Sequence, residues 1–583
     1  MPPAREGRGA SAVAPGWWRH DDGWRAVVLP AASPGRVTLV FELGVGAADD
    51  PPGRAGAAHL LEHVIFRAGH LGPGVEALGG QARAFTDPDR LWIEADVPAP
   101  AAARAAAQLA TALARVRIDP ADVEHERALV ALELAATRRD SGAVLRDELM
   151  RRMFVHHPYR LPVIGTASSV AAIRVADLAG LVDRWWSTRN LRVIVRGGEG
   201  PTVLGVVADA LRPMARHGVA RPGRGEEAPR APRAAVVAST GRRQLALAWR
   251  WSSGAASAAM AELLAAVLAV RWPGLVLRRL PLREAGLLVA TTTPARAADA
   301  TRRLRRALAD LTPSLDELAA ARVRAHAAGL EVALGADVDD GAAFAAAYAR
   351  QVEAIAPETL RSASAALASA AAVAVATYPT RGGRVEPLLA ALGADRPAPA
   401  AATVGALVAP APARRPRSTS ASAPALATLE LAFAPPPPGL PARVAHAVLV
   451  GALGGEGGAL ALRLRRQHAL AYHLLVDGGL DDGLAITVAC APADRGEVER
   501  AVDEVLRASV ALPAAALRRA RARVHGAHAQ RREVTRVLRS LTEADVAALA
   551  RRRQLVDAAH RRWSTPGPAT RVTEAAITRR GAR

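Results

Sequence analysis

The sequence lacks the residues on which several kinds of site depend. It has a single cysteine, Cys490, which excludes internal disulfides and thiolate metal clusters, so any metal site must use histidine and carboxylate ligands. Lysine is absent, and aromatic residues make up only 3% of the chain. No apolar run is long enough to cross a bilayer, because even the alanine-rich stretch 365–376 is too short.

The N-terminal segment has no apolar core of the secretory type, so a cytoplasmic location is expected. The formal charge of +21 comes entirely from arginine, which is scattered along the chain and mixed with acidic residues. We find no RNA-binding signature, zinc finger or basic helix with interleaved aromatics. The charge is therefore interpreted as a compositional bias, and neither a nucleic acid nor a membrane is expected as a partner.

Half of the 583 residues are apolar, which is enough for several hydrophobic cores. Two stretches rich in proline, glycine, alanine or charge read as linkers, at 216–235 and 396–425. They divide the chain into three predicted domains, 17–215, 236–395 and 426–577.

The first of these blocks mixes strand and helix patterns. Apolar residues alternate over 37–43, and 91–97 also reads as a strand, whereas 56–67 reads as a helix. A second helix is predicted from the N-cap residue Asp119, with Pro120 in its first turn, to about residue 139. These patterns predict an α+β fold with helices packed on a sheet.

The second and third blocks share an outline that indicates a weak internal repeat. Each begins with a predicted strand, at 245–251 and 427–433, followed by an alanine-rich helix, at 259–270 and 444–453. The second block carries no obvious cluster of polar residues that would suggest a catalytic or metal-binding site.

One motif carries candidate chemistry. In the predicted helix 56–67, His59 and His63 are four residues apart and Glu62 is three after the first histidine, so all three share one helix face. Two imidazoles could hold one metal ion while the carboxylate acts as a base toward water, the inverted order typical of inverzincins. Alternatively, the histidines are an ordinary surface pair on an amphipathic helix.

A third metal ligand would strengthen this hypothesis, and the helix after Asp119 offers two glutamates. Glu126 and Glu133 lie seven residues apart and so project from one face. Either could instead be a surface carboxylate paired with Arg127 or Arg138.

The two helices together resemble the pitrilysin/insulinase family of zinc peptidases, to which processing peptidases also belong. The resemblance implies Glu133 as the third ligand of one zinc ion per chain, with Glu126 orienting a histidine from outside the ligand shell. The stretch 157–166, which ends in an isoleucine–glycine turn, and the segment around Trp185 and Trp186 also resemble the family.

The third block resembles the second active-site element of that family. An arginine and a tyrosine seven residues apart, Arg465 and Tyr472, are implied to hold the peptide carbonyl that is attacked. The family's substrate-binding edge strand usually carries Asn-Ala, but here Arg83 and Ala84 stand at those positions. The arginine would either favour acidic side chains of the substrate or partly obstruct the cleft.

The resemblance also implies repeated two-layer domains arranged as a clamshell. The family usually has four such domains and we count three, so a homodimer or a companion peptidase-like subunit is a plausible partner. The expected function is zinc-dependent endopeptidase, with Glu62 as general base, acting on targeting segments, leader peptides or short degradation products. The alternative is a catalytically silent scaffold or peptide-binding subunit.

Overall fold

The computed structural model describes most of the chain. The described residues are 10–14, 16–31, 33–138, 140–198, 200–218, 227, 233–238, 243–335, 341–378, 385–393, 426–528, 531–553, 555, 560–564 and 572–573. The predicted linker 396–425 lies wholly outside them, as does most of the predicted linker 216–235.

A seven-stranded mixed sheet in the order β1-β2-β3-β7-β4-β6-β5 occupies the first predicted domain, except that its first strand precedes residue 17, where that domain was predicted to begin. Its strands are β1 (Ala10–Ala14), β2 (Trp17–His20), β3 (Arg25–Leu29), β4 (Arg36–Leu43), β5 (Gln81–Thr86), β6 (Leu91–Pro98) and β7 (Leu191–Arg196). β3 and β7 pair in parallel, and every other neighbouring pair is antiparallel. The order leaves β5 at one edge of the sheet.

Between residues 57 and 211 the described chain forms eight helices, of which Ser141–Met153 belongs to the second compact unit and the other seven accompany this sheet. The eight are α1 (Ala57–Ala68), α2 (Leu71–Glu76), α3 (Ala102–Ala114), α4 (Pro120–Thr137), α5 (Ser141–Met153), α6 (Ala167–Ala171), α7 (Val175–Trp185) and α8 (Gly200–Leu211). α4 begins where the sequence predicts, because the Asp119 carboxylate accepts a hydrogen bond from the backbone N–H of Ala121 at 2.8 Å.

The core of this domain lies between the sheet and its helices. Alternate residues of β4 and β6 are buried, as the period-2 pattern predicts, and they share one cluster with Leu60, Leu61 and Val64 of α1. Each such apolar side chain contributes roughly 1.5–3 kcal/mol when fully buried. Packing against the sheet therefore fixes which face of α1 remains for polar groups.

A second sheet, in the order β10-β11-β9-β12-β8, lies in the second predicted domain. Its strands are β8 (Arg233–Ala238), β9 (Gln244–Trp251), β10 (Val276–Pro281), β11 (Gly286–Thr292) and β12 (Val373–Tyr378). Its helices are α9 (Ala255–Arg271), α10 (Ala297–Ala309), α11 (Leu315–Gly335), α12 (Gly341–Ala354), α13 (Pro357–Ser369) and α14 (Glu386–Ala391).

The third sheet is antiparallel, in the order β14-β15-β13-β16. Its strands are β13 (Ala427–Ala432), β14 (Ala471–Asp477), β15 (Ala485–Cys490) and β16 (His560–Ser564). The helices are α15 (Leu440–Leu453), α16 (Ala459–Ala461), α17 (Arg495–Ala508), α18 (Ala514–Ala527), α19 (Arg532–Ser540) and α20 (Glu543–Arg553), and a π-helical turn, Leu462–Gln467, follows α16.

The last strand, β17 (Val572–Thr573), departs from the predicted domain boundaries. It pairs antiparallel with β8 and so extends the second sheet, although the sequence assigned 426–577 to the third domain. The strand and helix predicted at the start of the second and third blocks are present as β9 and α9, and as β13 and α15. The α+β prediction, with helices packed on mixed or antiparallel sheets, is confirmed.

The chain separates into two compact units that are not consecutive in sequence. The first comprises Met1–Ala136, Pro162–Arg221 and Pro424–Pro566, and so unites the first and third sheets. The second comprises Thr137–Leu161, Pro222–Ala423 and Gly567–Arg583 and contains the second sheet. Among the helices that the structure describes, none has the length and apolar character needed to span a membrane.

Candidate active site

Helix α1 begins at a tightly built junction. The N–H groups of Gly56 and Ala58 each donate to the Asp50 carboxylate at 2.7 Å, so Asp50 satisfies two groups that the helix leaves unpaired. Gly56 has a φ of +96°, which favours glycine. A side chain at Gly165 would collide with the carbonyl oxygen of Ala55, so the predicted isoleucine–glycine turn packs directly against the start of α1.

We expect Asp50→Ala to destabilise this junction by about 2 kcal/mol, because two partly buried N–H groups lose their acceptor. Thermal unfolding followed by circular dichroism should show a lower midpoint for the variant. Asp21→Ala, which changes an exposed aspartate, is the matched control and should leave the midpoint unchanged. Equal midpoints for the two variants would contradict the capping role.

The motif residues of α1 converge with Glu133 of α4. Glu133 Oε2 lies 3.7 Å from His59 Nε2 and 3.4 Å from His63 Nε2. Ligands about 2.0–2.2 Å from one ion in tetrahedral geometry would be separated by about 3.4 Å. Two imidazole nitrogens and one carboxylate oxygen are also the donor types of a catalytic zinc site with a fourth position open. The three residues therefore fit a zinc ion in both spacing and chemistry.

Two groups of α4 and one of α1 surround the outer side of His63. Glu126 Oε2 lies 3.1 Å from His63 Nδ1, which turns His63 Nε2 toward Glu133. Arg67 donates from Nε to Asp122 at 2.8 Å and from a terminal nitrogen to Glu126 at 3.5 Å. His59 differs, because its Nδ1 is buried without a hydrogen-bond partner in the part of the chain that the structure describes.

Glu62 lies on the same helix and contacts the edge strand. Thr86 Oγ1, at the end of β5, donates a hydrogen bond to Glu62 Oε2 at 2.9 Å. Burial raises the pKa of Glu62 to about 7, against the opposing effects of His63 and Thr86. A carboxylate with a pKa near neutrality is suited both to accept and to return a proton.

The other ionisable groups respond differently to the same burial. Burial lowers the pKa of His59 to about 4. Burial acts the same way on His63, but its hydrogen bonds to Glu126 and Glu133 prevail and raise the pKa to about 10. Burial disfavours the charged form of Glu133, yet contact with His63 and His59 holds its pKa below the usual value. A metal ion would have to displace the proton on His63.

Arg465 and Tyr472, predicted from the third block, lie in the same compact unit as the histidines. Arg465 is close enough to Glu133 to lower its pKa electrostatically. Its Nε is buried and has no hydrogen-bond partner among the described residues. Tyr472 sits at an irregularity between Ala471 and His473 where β14 pairs with β15.

Tyr472 also contacts the surroundings of α4. It packs against a small cluster formed by Ala135, Leu426 and Ala489, which Leu132 and Ala136 join. Two of these residues, Leu132 and Ala136, flank Glu133 along α4. The predicted tyrosine is thus near the helix that presents the third candidate ligand.

The structure does not bring Arg83 together with the other predicted residues. Along β5, Ala84 and Thr86 point to one face, toward α1, whereas Arg83 and Phe85 point to the opposite face. Phe85 stacks on Trp92 there, with ring centroids 5.4 Å apart. Ala84 therefore lies on the side of Glu62, and Arg83 does not.

Sequence reasoning assigned no role to several residues of this region. Thr86 stands two residues after Ala84 on the same strand, and Asp50 is an acidic residue shortly before α1, so both could have been suspected from their positions. His125 hydrogen-bonds through Nε2 to the carbonyl oxygen of Arg465 at 2.6 Å, a contact across 340 positions for which the sequence holds no local signal.

Residues 27–167 match the sequence profile of the family described as insulinase, peptidase family M16. This segment is therefore similar to the insulinase family. The resemblance stated from the motifs is confirmed, and the matched segment contains His59, Glu62, His63, Glu126 and Glu133.

Proteins similar to this chain include an uncharacterized zinc protease of Mycobacterium tuberculosis. It is 32% identical over 196 residues, which cover 32% of this chain and 44% of the mycobacterial protein. The match therefore spans less than half of that relative's length.

Solved structures share the fold at low sequence identity. A protease from Helicobacter pylori aligns with a TM-score of 0.51 at 18% identity, over 62% of this chain and 99% of its own. A domain from Pseudomonas fluorescens described as an inactive peptidase M16 domain aligns with a TM-score of 0.53 at 16% identity. The alignment covers 63% of this chain and 98% of the Pseudomonas domain. Since one of these folds is described as inactive, the fold alone does not decide activity.

Proposed function

We propose that this chain is a zinc-dependent endopeptidase in which His59, His63 and Glu133 hold one zinc ion and Glu62 is the general base. The observation that carries the proposal is the convergence of these three donors, because Glu133 Oε2 lies 3.7 Å from His59 Nε2 and 3.4 Å from His63 Nε2. The buried carboxylate of Glu62 lies beside them, on the helix that carries both histidines. A pair of surface histidines would not be buried against a carboxylate from a second helix.

The protein's own groups suggest how a peptide bond is cleaved. Glu62 accepts a proton from the attacking water and returns it to the amine that leaves. When bound, zinc would supply a Lewis acid that polarises the peptide carbonyl. Arg465 and Tyr472 donate hydrogen bonds to the carbonyl oxygen as it becomes negatively charged. The unpartnered Nε of Arg465 supports this role.

The substrate in this proposal is an extended peptide that adds to the edge of the first sheet along β5. Strand addition supplies backbone hydrogen bonds to any sequence, so Ala84 contributes through its backbone. Arg83, on the other face of β5, would favour acidic side chains that point that way. Targeting segments, leader peptides and short degradation products remain the candidate substrates. A second copy or a companion subunit as partner, and a cytoplasmic location, belong to the same proposal.

The test is cleavage of a mixed quenched-peptide library by the zinc-loaded protein, with bound metal quantified. We expect cleavage, its loss after chelation, and its return when about one zinc per chain is restored. If the protein binds one zinc and cleaves nothing, it is a silent scaffold or requires a partner subunit. If it binds no metal, the central proposal is wrong.

A further inference from the structure

A glycine-rich loop of the third block holds a carboxylate of the first. The loop, residues 454–458, has the sequence Gly-Gly-Glu-Gly-Gly and precedes α16. Two of its backbone N–H groups, from Glu456 and Gly457, donate to the two carboxylate oxygens of Glu76, each at 2.8 Å. Glu76 ends α2 and is only 5% exposed.

The composition of this loop fits Glu76 closely. A side chain at Gly455, where φ is +80°, would collide with Glu76 Oε1. A Cβ atom at Gly457 would lie 3.0 Å from Glu76 Oε2. The absence of side chains at these two glycines therefore lets the backbone approach the carboxylate closely.

Cations of α18 complete the surroundings of the loop. Arg519 donates to the carbonyl oxygen of Gly457 at 2.7 Å, and Arg523 lies 3.8 Å from Glu76 Oε1. Glu76 is thus a buried carboxylate with two backbone donors and a nearby guanidinium. These contacts offset only part of the cost of burying its charge, because burial still holds the pKa of Glu76 above its usual value.

The loop in turn fixes Arg465. The side chain of Glu456 accepts a hydrogen bond from a terminal nitrogen of Arg465 at 2.7 Å. The carbonyl oxygen of Arg465 is held by His125 of α4. Both the backbone and the side chain of Arg465 are therefore tied to elements of the first domain, one through Glu76 and one through His125.

We propose that Glu76 is a positioning residue that acts through Glu456 to place the guanidinium of Arg465, an inference that rests on the proposed peptidase function. Glu76 touches neither the candidate metal ligands nor Glu62 in the contacts described. Its effect on the reaction would be geometric, because displacing a catalytic group by about 1 Å can lower the rate by about 10²-fold.

The first test is a double-mutant cycle with the zinc-loaded full chain. Glu76→Gln keeps the shape but turns one acceptor into a donor that faces a backbone N–H. We expect kcat/KM for a quenched peptide to fall about 10- to 100-fold, with zinc content unchanged. In the Arg465→Ala background the same change should cost less than about 2-fold, because the guanidinium that Glu76 places is already missing.

Glu456→Gln is the second variant in case Glu76→Gln does not fold. Its side chain is one-third exposed, and the change removes the charge that faces Arg465 without touching Glu76. Like Glu76→Gln, it should lower kcat/KM in the wild-type background and have little effect in the Arg465→Ala background. Glu497→Gln, at an exposed position of α17, is the matched control and should change nothing. Full additivity of Glu76→Gln and Glu456→Gln with Arg465→Ala would overturn the proposal.

Hydrogen–deuterium exchange provides a readout that does not depend on activity. Peptides covering 454–467 should exchange faster in Glu76→Gln than in the wild type and in Glu497→Gln, because one of the two amides loses its acceptor and faces an N–H donor instead. Unchanged exchange would overturn the anchoring by Glu76. A wild type that binds zinc and cleaves nothing would overturn cleavage by this chain alone, and with it the catalytic purpose of the anchoring in the isolated chain. The exchange experiment would still decide whether Glu76 anchors the loop.

Discussion

Replacing Glu62 by glutamine is expected to abolish peptide cleavage while leaving zinc bound. Glutamine fills the same space and its amide oxygen can still accept the hydrogen bond of Thr86, but it cannot take a proton from water. Loss of a general base typically lowers the rate by roughly 10²- to 10⁴-fold. The measurement is the cleavage rate of quenched peptides by both proteins after zinc loading, with zinc per chain determined in parallel.

The control for this experiment is Glu497→Gln, which makes the same chemical change at an exposed site. It should cleave at the wild-type rate. If Glu62→Gln retained wild-type activity with one zinc bound, Glu62 would not be the base, and the pKa near 7 that burial confers would serve no role in proton transfer.

The second large effect is expected for Glu133→Gln, which should lose both zinc and activity. The amide oxygen is a neutral and weaker donor than a carboxylate, and two histidines would remain as protein ligands. We expect the affinity for zinc to fall by more than the roughly 10- to 100-fold that loss of an outer carboxylate costs. Competition with a chromogenic chelator measures this affinity directly.

Glu126→Gln is the matched comparison because Glu126 lies on the same helix but contacts the far nitrogen of His63. It should still bind about one zinc, with an affinity lowered by about 10- to 100-fold. Equal losses of zinc affinity in the two variants would contradict the assignment of Glu133 as a ligand and Glu126 as a group that only orients His63. Wild-type affinity in Glu133→Gln would remove Glu133 from the ligand set.

Much of the candidate metal centre follows from short-range spacing. His59, Glu62 and His63 share a face because a helix repeats every 3.6 residues, and the same geometry places Glu126 and Glu133 on one side of α4. These relations require only that each segment be helical. The alternation of apolar residues predicted the strand β4, and the N-cap residue Asp119 predicted the start of α4. The site could be predicted to this extent before any packing was known.

The Arg465 and Tyr472 pair shows where local geometry is insufficient. Arg465 lies in a π-helical turn and Tyr472 at an irregular point of β14, so neither side chain has the direction that a regular element would give it. Similarly, strand alternation turns Arg83 away from Glu62 only once the face of β5 that packs on α1 is known. The resemblance suggested these residues, and the packing determines their surroundings.

The sequence by itself determined the α+β class, the helix that carries the candidate motif of His59, Glu62 and His63, and the shared face of Glu126 and Glu133, because each depends on periodicity within one segment. Only the tertiary structure decided the raised pKa of Glu62, the hydrogen bond from Thr86, and the link from Glu76 to Arg465. Burial and contacts between residues hundreds of positions apart arise when separate elements pack together, and no local pattern encodes them.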